Sequence, residues 1–428
     1  MRRRRILPMA VAALALVAAA CSSSKSSSSA PAATSAAASS SASSSSSAAS
    51  SSGSSSSSAA AASGAPGDFA KAHYTTSLAG TCPNPVIIQT DWLPEADHGG
   101  IYQMIGGGGK MAQYTYTGPL GSTGVNLEII SGGPGLGNGV NQPSSLYAGN
   151  LVKNVTPQLA FVSETDAIAY SKQFPTTAVF ATYQKSPQAL LFDPTKYPTM
   201  KTIADVKAAV AGGAKLYVTS ATFSYVRWLI GQGIPESAFI GGYSGDLEKF
   251  VGGAGSIINQ GYSTNEIYTL EKATPTWNKP VGYVYIADLG LPFYQSSVAV
   301  ATNKLAQLTP CLQKLVPIMQ HAQADYLADP TEVNQVLADY NAAGLGAAFW
   351  KTPVDLNKAA TDVMKSDSLI KPPAGLGVGA FDLTEVGQVI STLVPIEKAQ
   401  NITSMDPSVQ ASAIATNQFI DNTVQLAS

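Results

Sequence analysis

Short apolar runs alternate with amphipathic stretches through most of the chain beyond residue 80. Strands are predicted where β-branched and aromatic residues cluster, as in PVIIQ, VNLEIISGG, PQLAFVSE, AKLYVTS, SIINQGYS, PVGYVYIADLG and SSVAVAT. Helices are predicted for FSYVRWLIGQG and for MKTIADVKAAVAGG, in which Ile203, Val206 and Val210 recur at helical spacing. AVFATYQKSPQALLFD predicts one long extended passage, and from TPCLQKLVPIM onwards the pattern is mainly helical.

Alternating strands and helices are typical of α/β folds, in which parallel-rich sheets are covered by helices on both faces. The segment from Thr81 to Ser428 is longer than one domain commonly is, so two lobes are expected. In open α/β sheets, ligands bind beyond the carboxyl ends of the strands. The predicted strands end in TDWLPEADH, SGGPG, SETD, TSATFS and STNE, and we expect these polar, aromatic and glycine-rich segments to form a cleft.

The first residues have the order of an export signal. Four arginines are followed by an apolar run from Ile6 to Ala20 and by Cys21. The run is shorter than the roughly 20 residues that span a bilayer. We predict a lipoprotein signal peptide over residues 1–21, with Cys21 lipidated, and plain secretion is the alternative. Residues 22–67 are almost only Ser and Ala, and they predict a flexible, disordered tether because they cannot bury enough apolar surface to fold.

Charge and cysteine content narrow the classes of ligand and of compartment. The formal net charge of −2 becomes −6 without the four signal arginines, and Arg227 is then the single arginine. A basic surface for nucleic acid is therefore not expected. The arginine fork that commonly binds sulfonate, carboxylate or phosphate is also scarce. In an exported chain, Cys82 and Cys311 are expected to form a disulfide, with two free thiols as the alternative.

Residues 90–103, TDWLPEADHGGIYQ, resemble the first strand, loop and helix of the NMT1/THI5-like (SsuA/THI5-like) substrate-binding lipoproteins of ABC transporters. The shared pattern is a strand, then Trp-x-Pro, then an acidic residue and His-x-Gly-x-Tyr; here it falls on Trp92, Pro94, Glu95, His98, Gly100 and Tyr102. LEIISGGPG, FATYQKSPQALLFD and KTIADVKAAVAGGAKLYV continue the resemblance, which covers about residues 83–330.

The resemblance implies a type II periplasmic-binding-protein fold, in which two lobes close around a ligand by a hinge motion. Lobe 1 would comprise residues 83–182 plus 291–428, and lobe 2 would comprise residues 183–290. Two hinge strands would join them, near Ala181–Pro187 and Asp288–Gln295. The resemblance also implies a monomer anchored by its lipid to the outer face of the cell membrane, which delivers a small molecule to ABC permease and ATPase subunits.

Several aromatic residues and one histidine are candidates for ligand contact. Trp92 follows the first strand, where its indole face would stack on a planar ligand; a surface or core tryptophan is the alternative. His98 would donate to a ligand, stack on it or cap the helix that begins near Gly99. Tyr102 lies one turn further on the same face. Tyr183 lies in the expected hinge.

Hydroxyl and carboxyl groups at other strand ends complete the candidate site. Ser163 and Glu164 end one strand, where Glu164 would accept N–H bonds from an aminopyrimidine-like ring, or where the segment would cap a helix. Ser220 and Thr222 precede a helix and would bind a ligand oxygen or only cap that helix. The resemblance adds Glu266, at a position where the pyrimidine binders use a glutamate.

Five carboxyls fall near predicted strand ends, and solvated helix caps are the alternative for each: Glu95, Asp97, Glu164, Asp166 and Glu266. If two or more face the cleft, the ligand is expected to carry N–H donors or positive charge. The predicted function is therefore capture of a small nitrogen heterocycle, such as a pyrimidine precursor of thiamine. Alkanesulfonate, taurine or nitrate in the same family is the alternative, and a sensory or adhesive surface module is a further one.

Enzymatic chemistry is not expected, and no cofactor is expected. GGYSGD and QGYSTN do not match the nucleophile elbow of the α/β-hydrolases. The three histidines lie far apart in the sequence, so they do not predict a metal site. The glycine runs GLGNG and GLGVG lack the rest of a dinucleotide-binding pattern.

Overall fold

The structure is a computed structural model that describes residues 68–133, 142–149 and 155–427. The predicted signal peptide, the predicted lipidation at Cys21 and the predicted tether lie outside these ranges. No helix within them is both long enough and apolar enough to cross a membrane.

The strands in the described ranges are β1 (Val86–Gln89), β2 (Lys110–Ala112), β3 (Thr115–Pro119), β4 (Asn126–Ile130), β5 (Leu159–Val162), β6 (Thr176–Phe180), β7 (Gln188–Phe192), β8 (Lys215–Tyr217), β9 (Phe239–Ile240), β10 (Ile257–Tyr262), β11 (Gly282–Tyr285) and β12 (Ser297–Ala301). The α-helices are α1 (Asp68–His73), α2 (Gly99–Gln103), α3 (Gln142–Ala148), α4 (Glu164–Ala169), α5 (Ile203–Ala211), α6 (Ser224–Gly231), α7 (Glu248–Gly252), α8 (Glu266–Tyr268), α9 (Leu305–Ala328), α10 (Thr331–Ala342), α11 (Val354–Ser366), α12 (Leu383–Ala399) and α13 (Ala411–Ile414).

Two sheets organise the chain. The first has the strand order β2-β3-β4-β1-β5-β12-β6, and the second has the order β11-β7-β10-β8-β9. Parallel pairs lie at the centre of the first sheet, in β4-β1-β5, and at one end of the second, in β10-β8-β9. The remaining pairs are antiparallel. β5, β6 and β12 are buried along their whole length, which fits strands covered by helices on both faces.

The chain crosses between the sheets twice. It leaves the first sheet after β6 and enters the second at β7; it then leaves the second after β11 and returns at β12. On its return, β12 inserts antiparallel between β5 and β6. This topology confirms the predicted α/β class with a type II periplasmic-binding-protein architecture. The predicted lobe boundaries stay a prediction, and α12, assigned to lobe 1 from the sequence, contacts α6 of the 183–290 segment.

Close packing between two helices explains why two glycines occur in the HGGIY segment. Helix α2 lies directly against the long helix α9. A Cβ atom added at Gly99 would come within 2.0 Å of the Tyr326 ring, and one at Gly100 would come within 2.2 Å of the Gln323 side chain. Only glycine allows this close approach of α2 to α9.

Most predicted elements are confirmed within a residue or two, including the helical C-terminal part. The passage AVFATYQKSPQALLFD differs, because it contains two strands, β6 and β7, that belong to different sheets. The intervening residues 181–187 form the first crossing. The antiparallel strands β2 and β3, at the edge of the first sheet, were not expected from the sequence pattern.

Candidate functional site

A cavity of about 600 Å³ lies between the two sheets. Its walls come from the ends of β1 and β5 in the first sheet, from the ends of β8 and β10 in the second, and from both crossing segments. This volume falls within the range of roughly 300–1,000 Å³ that small-molecule sites occupy. Aromatic side chains supply much of the wall, among them Trp92, Tyr225, Tyr243, Tyr262, Phe293 and Trp350.

Asp91 lies just after the end of β1, and its carboxylate accepts two hydrogen bonds. Its Oδ1 lies 3.0 Å from Nε2 of His98, and its Oδ2 accepts a hydrogen bond from the Ser296 hydroxyl in the second crossing. Burial raises the pKa of Asp91, but the His98 ring and the Ser296 hydroxyl outweigh it and hold the pKa below its usual value. Asp91 is therefore a fixed negative charge on the cavity wall.

Asp97 connects the first crossing to the loop after β10. Its Oδ1 accepts hydrogen bonds from the Tyr183 hydroxyl at 2.5 Å and from the Thr264 hydroxyl at 2.9 Å. Burial raises the pKa of Asp97 in spite of these donors, and the charge of Asp91 raises it further. The carboxylate thus joins residues from both sides of the cleft.

Glu266 is held in a similar way on the side of the second sheet. Its Oε1 accepts from the Tyr243 hydroxyl, and its Oε2 accepts from the backbone N–H of Tyr262 at 2.7 Å. Burial outweighs these bonds and raises the pKa of Glu266 to about 6.

Glu95 and Asp166 also line the cavity, but neither carboxyl accepts a hydrogen bond from another described residue. Nε2 of His98 lies 3.9 Å from Oε1 of Glu95, beyond hydrogen-bond distance, and it already contacts Asp91. Burial, together with the charges of Asp97, Asp91 and Glu266, raises the pKa of Glu95 well above its usual value. Both groups therefore have oxygen atoms open to a donor from a ligand.

Asp166 lies in the first turn of α4, on another part of the wall. Burial raises its pKa to about 6, and the charges of Asp91 and Glu397 contribute. Five carboxyls thus converge on one cavity, and charge repulsion among them is a cost that a bound cation would relieve.

Arg227 is the single arginine of the described ranges, and it lines the cavity from α6. Its Nη1 donates to Oε2 of Glu397 on α12. The Glu397 side chain is fully buried, whereas the Arg227 side chain is 14% exposed. Arg227 therefore lines the cavity while its positive charge is paired with the carboxylate of Glu397.

Trp92 and Trp350 form an aromatic corner of the cavity. Their rings meet edge to face, with centroids 5.7 Å apart. The Trp350 indole N–H donates to the backbone carbonyl of Pro94 at 3.2 Å. Gly133 makes room for the other ring, since a Cβ there would lie 2.6 Å from Trp92. Such a corner offers two π faces to a flat or cationic ligand.

Half of the predicted ligand residues line the cavity, and half do not. Those that line it are Trp92, Glu95, Ser163, Thr222 and Glu266. Those outside its lining are His98, Tyr102, Glu164, Tyr183 and Ser220. His98 and Tyr183 stand directly behind the wall, where they bind Asp91 and Asp97. His98 occupies the cap position of α2, but its side chain makes no capping hydrogen bond.

The other three residues face elsewhere. Tyr102 is buried in the core, where its ring stacks on Tyr116 with centroids 5.4 Å apart. Glu164 points away from the cavity and accepts from the backbone N–H of Tyr294 at 3.0 Å. Ser220 exchanges a 2.8 Å hydrogen bond with the hydroxyl of Thr222.

The sequence pattern alone does not identify Asp91, Arg227 and Trp350 on the wall, or Glu397 behind it. Asp91 belongs to the TDW segment, and Arg227 is the single arginine after the signal peptide, but neither residue is among the ligand-binding residues predicted from the sequence. Trp350 and Glu397 lie far along the chain, in segments whose pattern indicates only loop or helix.

The predicted disulfide partners Cys82 and Cys311 are bonded, with Sγ atoms 2.00 Å apart. In the parts of the chain that the structure describes, no three His, Cys, Asp or Glu residues are grouped to hold a metal ion.

No protein-family model matches the chain, and no curated protein matches it. Among solved structures, it is similar to the alkanesulfonate-binding protein SsuA from Xanthomonas axonopodis bound to MOPS, with 12% identity and a TM-score of 0.47 over 78% of this chain and 100% of that one. It is also similar to the periplasmic aliphatic sulphonate binding protein SsuA from Escherichia coli, with 12% identity and a TM-score of 0.45 over 76% and 96% of the two chains. The periplasmic nitrate-binding protein NrtA from Synechocystis shows 10% identity and a TM-score of 0.45 over 79% and 88%. A likeness at this level says nothing about the ligand of this chain.

Proposed function

We propose that this protein is an extracytoplasmic solute-binding protein of an ABC importer, and that it captures a small nitrogen heterocycle of the pyrimidine or thiamine-precursor type. The ligand binds in the cavity between the sheets and carries positive charge or several N–H donors. The observation that carries this proposal is the pair of cavity carboxyls, Glu95 and Asp166, without a hydrogen-bond donor among the described residues.

The aromatic corner complements these carboxyls. A flat ring that stacks on Trp92 or Trp350 brings its exocyclic amino groups towards the acidic wall. A cation over an aromatic face gains roughly 0.5–2 kcal/mol. A hydrogen bond to a charged group adds about 1.5–3 kcal/mol. In this proposal Glu266 and Asp97 hold the wall in place, while Ser163 and Thr222 supply neutral polar contacts.

The same proposal places the protein at the cell surface. The arginines, the apolar run and Cys21 support lipidation, and the Ser- and Ala-rich composition supports a tether over residues 22–67. The family resemblance supports monomeric action and delivery to permease and ATPase subunits. Metabolic labelling with a radioactive fatty acid tests the anchor. A Cys21→Ala variant should lose the label and be released from the membrane fraction.

A thermal-shift panel tests the ligand. The purified chain is melted with hydroxymethyl- and formylaminopyrimidines, thiamine, riboflavin, taurine, alkanesulfonates and nitrate. A ligand at 100 times its dissociation constant adds about 2.7 kcal/mol of stability, which raises the melting temperature by a few degrees for a chain of this size. Mass spectrometry of the recovered ligand should show it unchanged, since capture without turnover is proposed.

The outcomes separate the alternatives. A shift by an aminopyrimidine or another nitrogen heterocycle, lost in Glu95→Gln, supports the proposal. A shift by taurine, alkanesulfonate or nitrate would keep a transport role and overturn the cationic ligand. If no member of a wide metabolite panel binds, a sensory or adhesive module becomes the better account.

A further inference from the structure

Arg227 is a positively charged residue in an otherwise acidic cavity wall. The residue lines a cavity whose other ionisable lining residues include five carboxyls. A free arginine is a strong binder of anions, because its fork of N–H donors matches carboxylate and sulfonate groups. In this chain, however, one end of the fork is already bound to Glu397.

Glu397 has an environment in which a carboxylate is costly. Its side chain is fully buried in α12, and its Oε1 has no hydrogen-bond partner in the described part of the chain. Removing a carboxylate from water costs several kcal/mol unless a partner compensates it. Arg227 is the partner, so the two side chains form a pair that is neutral as a unit.

Holding α12 against α6 does not require this pair. Apolar side chains from both helices already belong to one buried cluster, including Leu229 from α6 and Val389 and Leu393 from α12. Replacing a buried ion pair by apolar residues is often neutral or even stabilising. A role in stability alone therefore leaves the presence of a charge pair at the cavity wall unexplained.

We propose that Glu397 is a specificity-determining residue that neutralises Arg227 from behind, so that the cavity selects cations and rejects anions. The inference rests on the proposed function only in treating this cavity as the ligand site. Asp166, the nearby carboxyl whose ionisation Glu397 opposes, then faces the cavity without a competing free cation. Glu397 acts through Arg227 and does not touch the ligand.

The cavity potential can be read without any ligand. Of the four tryptophans, Trp92 and Trp350 line the cavity, whereas Trp228 and Trp277 are buried elsewhere. Indole fluorescence is quenched by caesium, which is a cation, by iodide, which is an anion, and by acrylamide, which is neutral. The ratio of the caesium and iodide quenching constants, at constant low ionic strength, therefore reports the sign and size of the local charge. A signal that disappears in Trp92→Phe is assigned to the cavity.

We expect this ratio to fall about twofold in Glu397→Gln, since one unpaired positive charge at the wall acts through partly screened solvent. Acrylamide quenching should not change. Should Gln not be tolerated in the buried position, Glu397→Met carries the same prediction. The double variant Arg227→Met with Glu397→Met removes both charges and should return the ratio to its original value. Glu236→Gln, at an exposed position outside the cavity, is the matched control for loss of one carboxylate.

A purely structural role gives a different result. In that case Glu397→Gln lowers the melting temperature but leaves the caesium-to-iodide ratio where it was, and the proposal is overturned. Because no metabolite is needed, this outcome is independent of the thermal-shift panel. A fall in the ratio together with an empty panel would support charge selection by Glu397 while leaving the proposed heterocycle without support.

Discussion

Replacing Glu95 by Gln should have opposite effects on stability and on binding. The substitution keeps the size of the side chain and removes its charge. In the folded protein, burial and the neighbouring Asp91, Asp97 and Glu266 disfavour that charge, and no described residue donates a hydrogen bond to it. The unliganded protein should therefore become more stable, while its affinity for a cationic ligand should decrease.

The size of both effects can be bounded. A carboxyl with an ordinary pKa of 4.5 can be kept protonated at pH 7 at a cost of about 1.36 kcal/mol per pH unit, so its contribution to instability cannot exceed roughly 3.4 kcal/mol. Binding loses one hydrogen bond to a charged acceptor, worth about 1.5–3 kcal/mol, which is about a 10- to 150-fold weaker affinity.

Two measurements check the prediction on the same samples. Thermal unfolding without ligand should show a higher melting temperature for Glu95→Gln, and calorimetric titration with the panel ligand that gives the largest shift should show the loss of affinity. Glu236→Gln, which removes an exposed carboxyl outside the cavity lining, should change neither quantity. A destabilised variant without ligand would refute the view that Glu95 is an uncompensated charge, and an unchanged affinity would remove it from the binding site.

Three further predictions follow from the same geometry. The folded-state pKa values of Asp166 and Glu266 are about 6, above their ordinary values of 3.8 and 4.5, so the folded protein binds protons more tightly than the unfolded chain. The melting temperature of the unliganded protein should therefore rise as the pH falls from 8 to 5.5, while its affinity for a cation should fall. Differential scanning calorimetry and binding titration at each pH would check both. In the same titration, Trp350→Ala should weaken the binding of aromatic cations by about 0.5–1.5 kcal/mol more than that of aliphatic cations, since it removes a ring on which only a flat ligand can stack. Reducing the bond between Cys82 and Cys311, which are 229 residues apart, should cost about 2–5 kcal/mol of stability in urea unfolding, and equal stability with and without reductant would argue against the bond.

The fold was predictable to the extent that burial leaves a periodic pattern. β5 and β12 are buried along their whole length; β5 is an unbroken apolar run, and β12 is apolar after its first residue. The edge strand β2 and its neighbour β3 are not evident from the sequence because they are short and partly polar, and because their pairing depends on a tight turn at Tyr114, which has a positive φ of 57°. The crossing within residues 181–187 was also hidden, since an extended chain has the same local pattern whether or not it changes sheets.

The candidate site was predictable in its location and less so in its membership. Strand ends converge in any open α/β sheet, so the acidic segments after β1, β5 and β10 were expected to meet. Which side chain of a segment faces the cavity depends on how the loop is packed. His98 and Tyr102 turn inward because α2 lies so close to α9, and Asp91 and Glu95 are the residues that remain on the wall. Trp350 and Glu397 reach the site only through the tertiary fold.

Three of the five cavity carboxyls are held by hydrogen bonds and two are not, and this difference connects the stability of the protein with its choice of ligand. Asp91, Asp97 and Glu266 each accept hydrogen bonds that fix them to a crossing segment, a loop or a neighbouring tyrosine. Because they are fixed, they cannot relax away from Glu95, and their repulsion of Glu95 persists in the empty cavity. A cation that enters relieves this repulsion, and a neutral ligand of the same shape does not. The free energy that destabilises the empty protein is thus recovered on binding only by ligands of positive charge, so selectivity for charge should increase in step with the instability of the unliganded state.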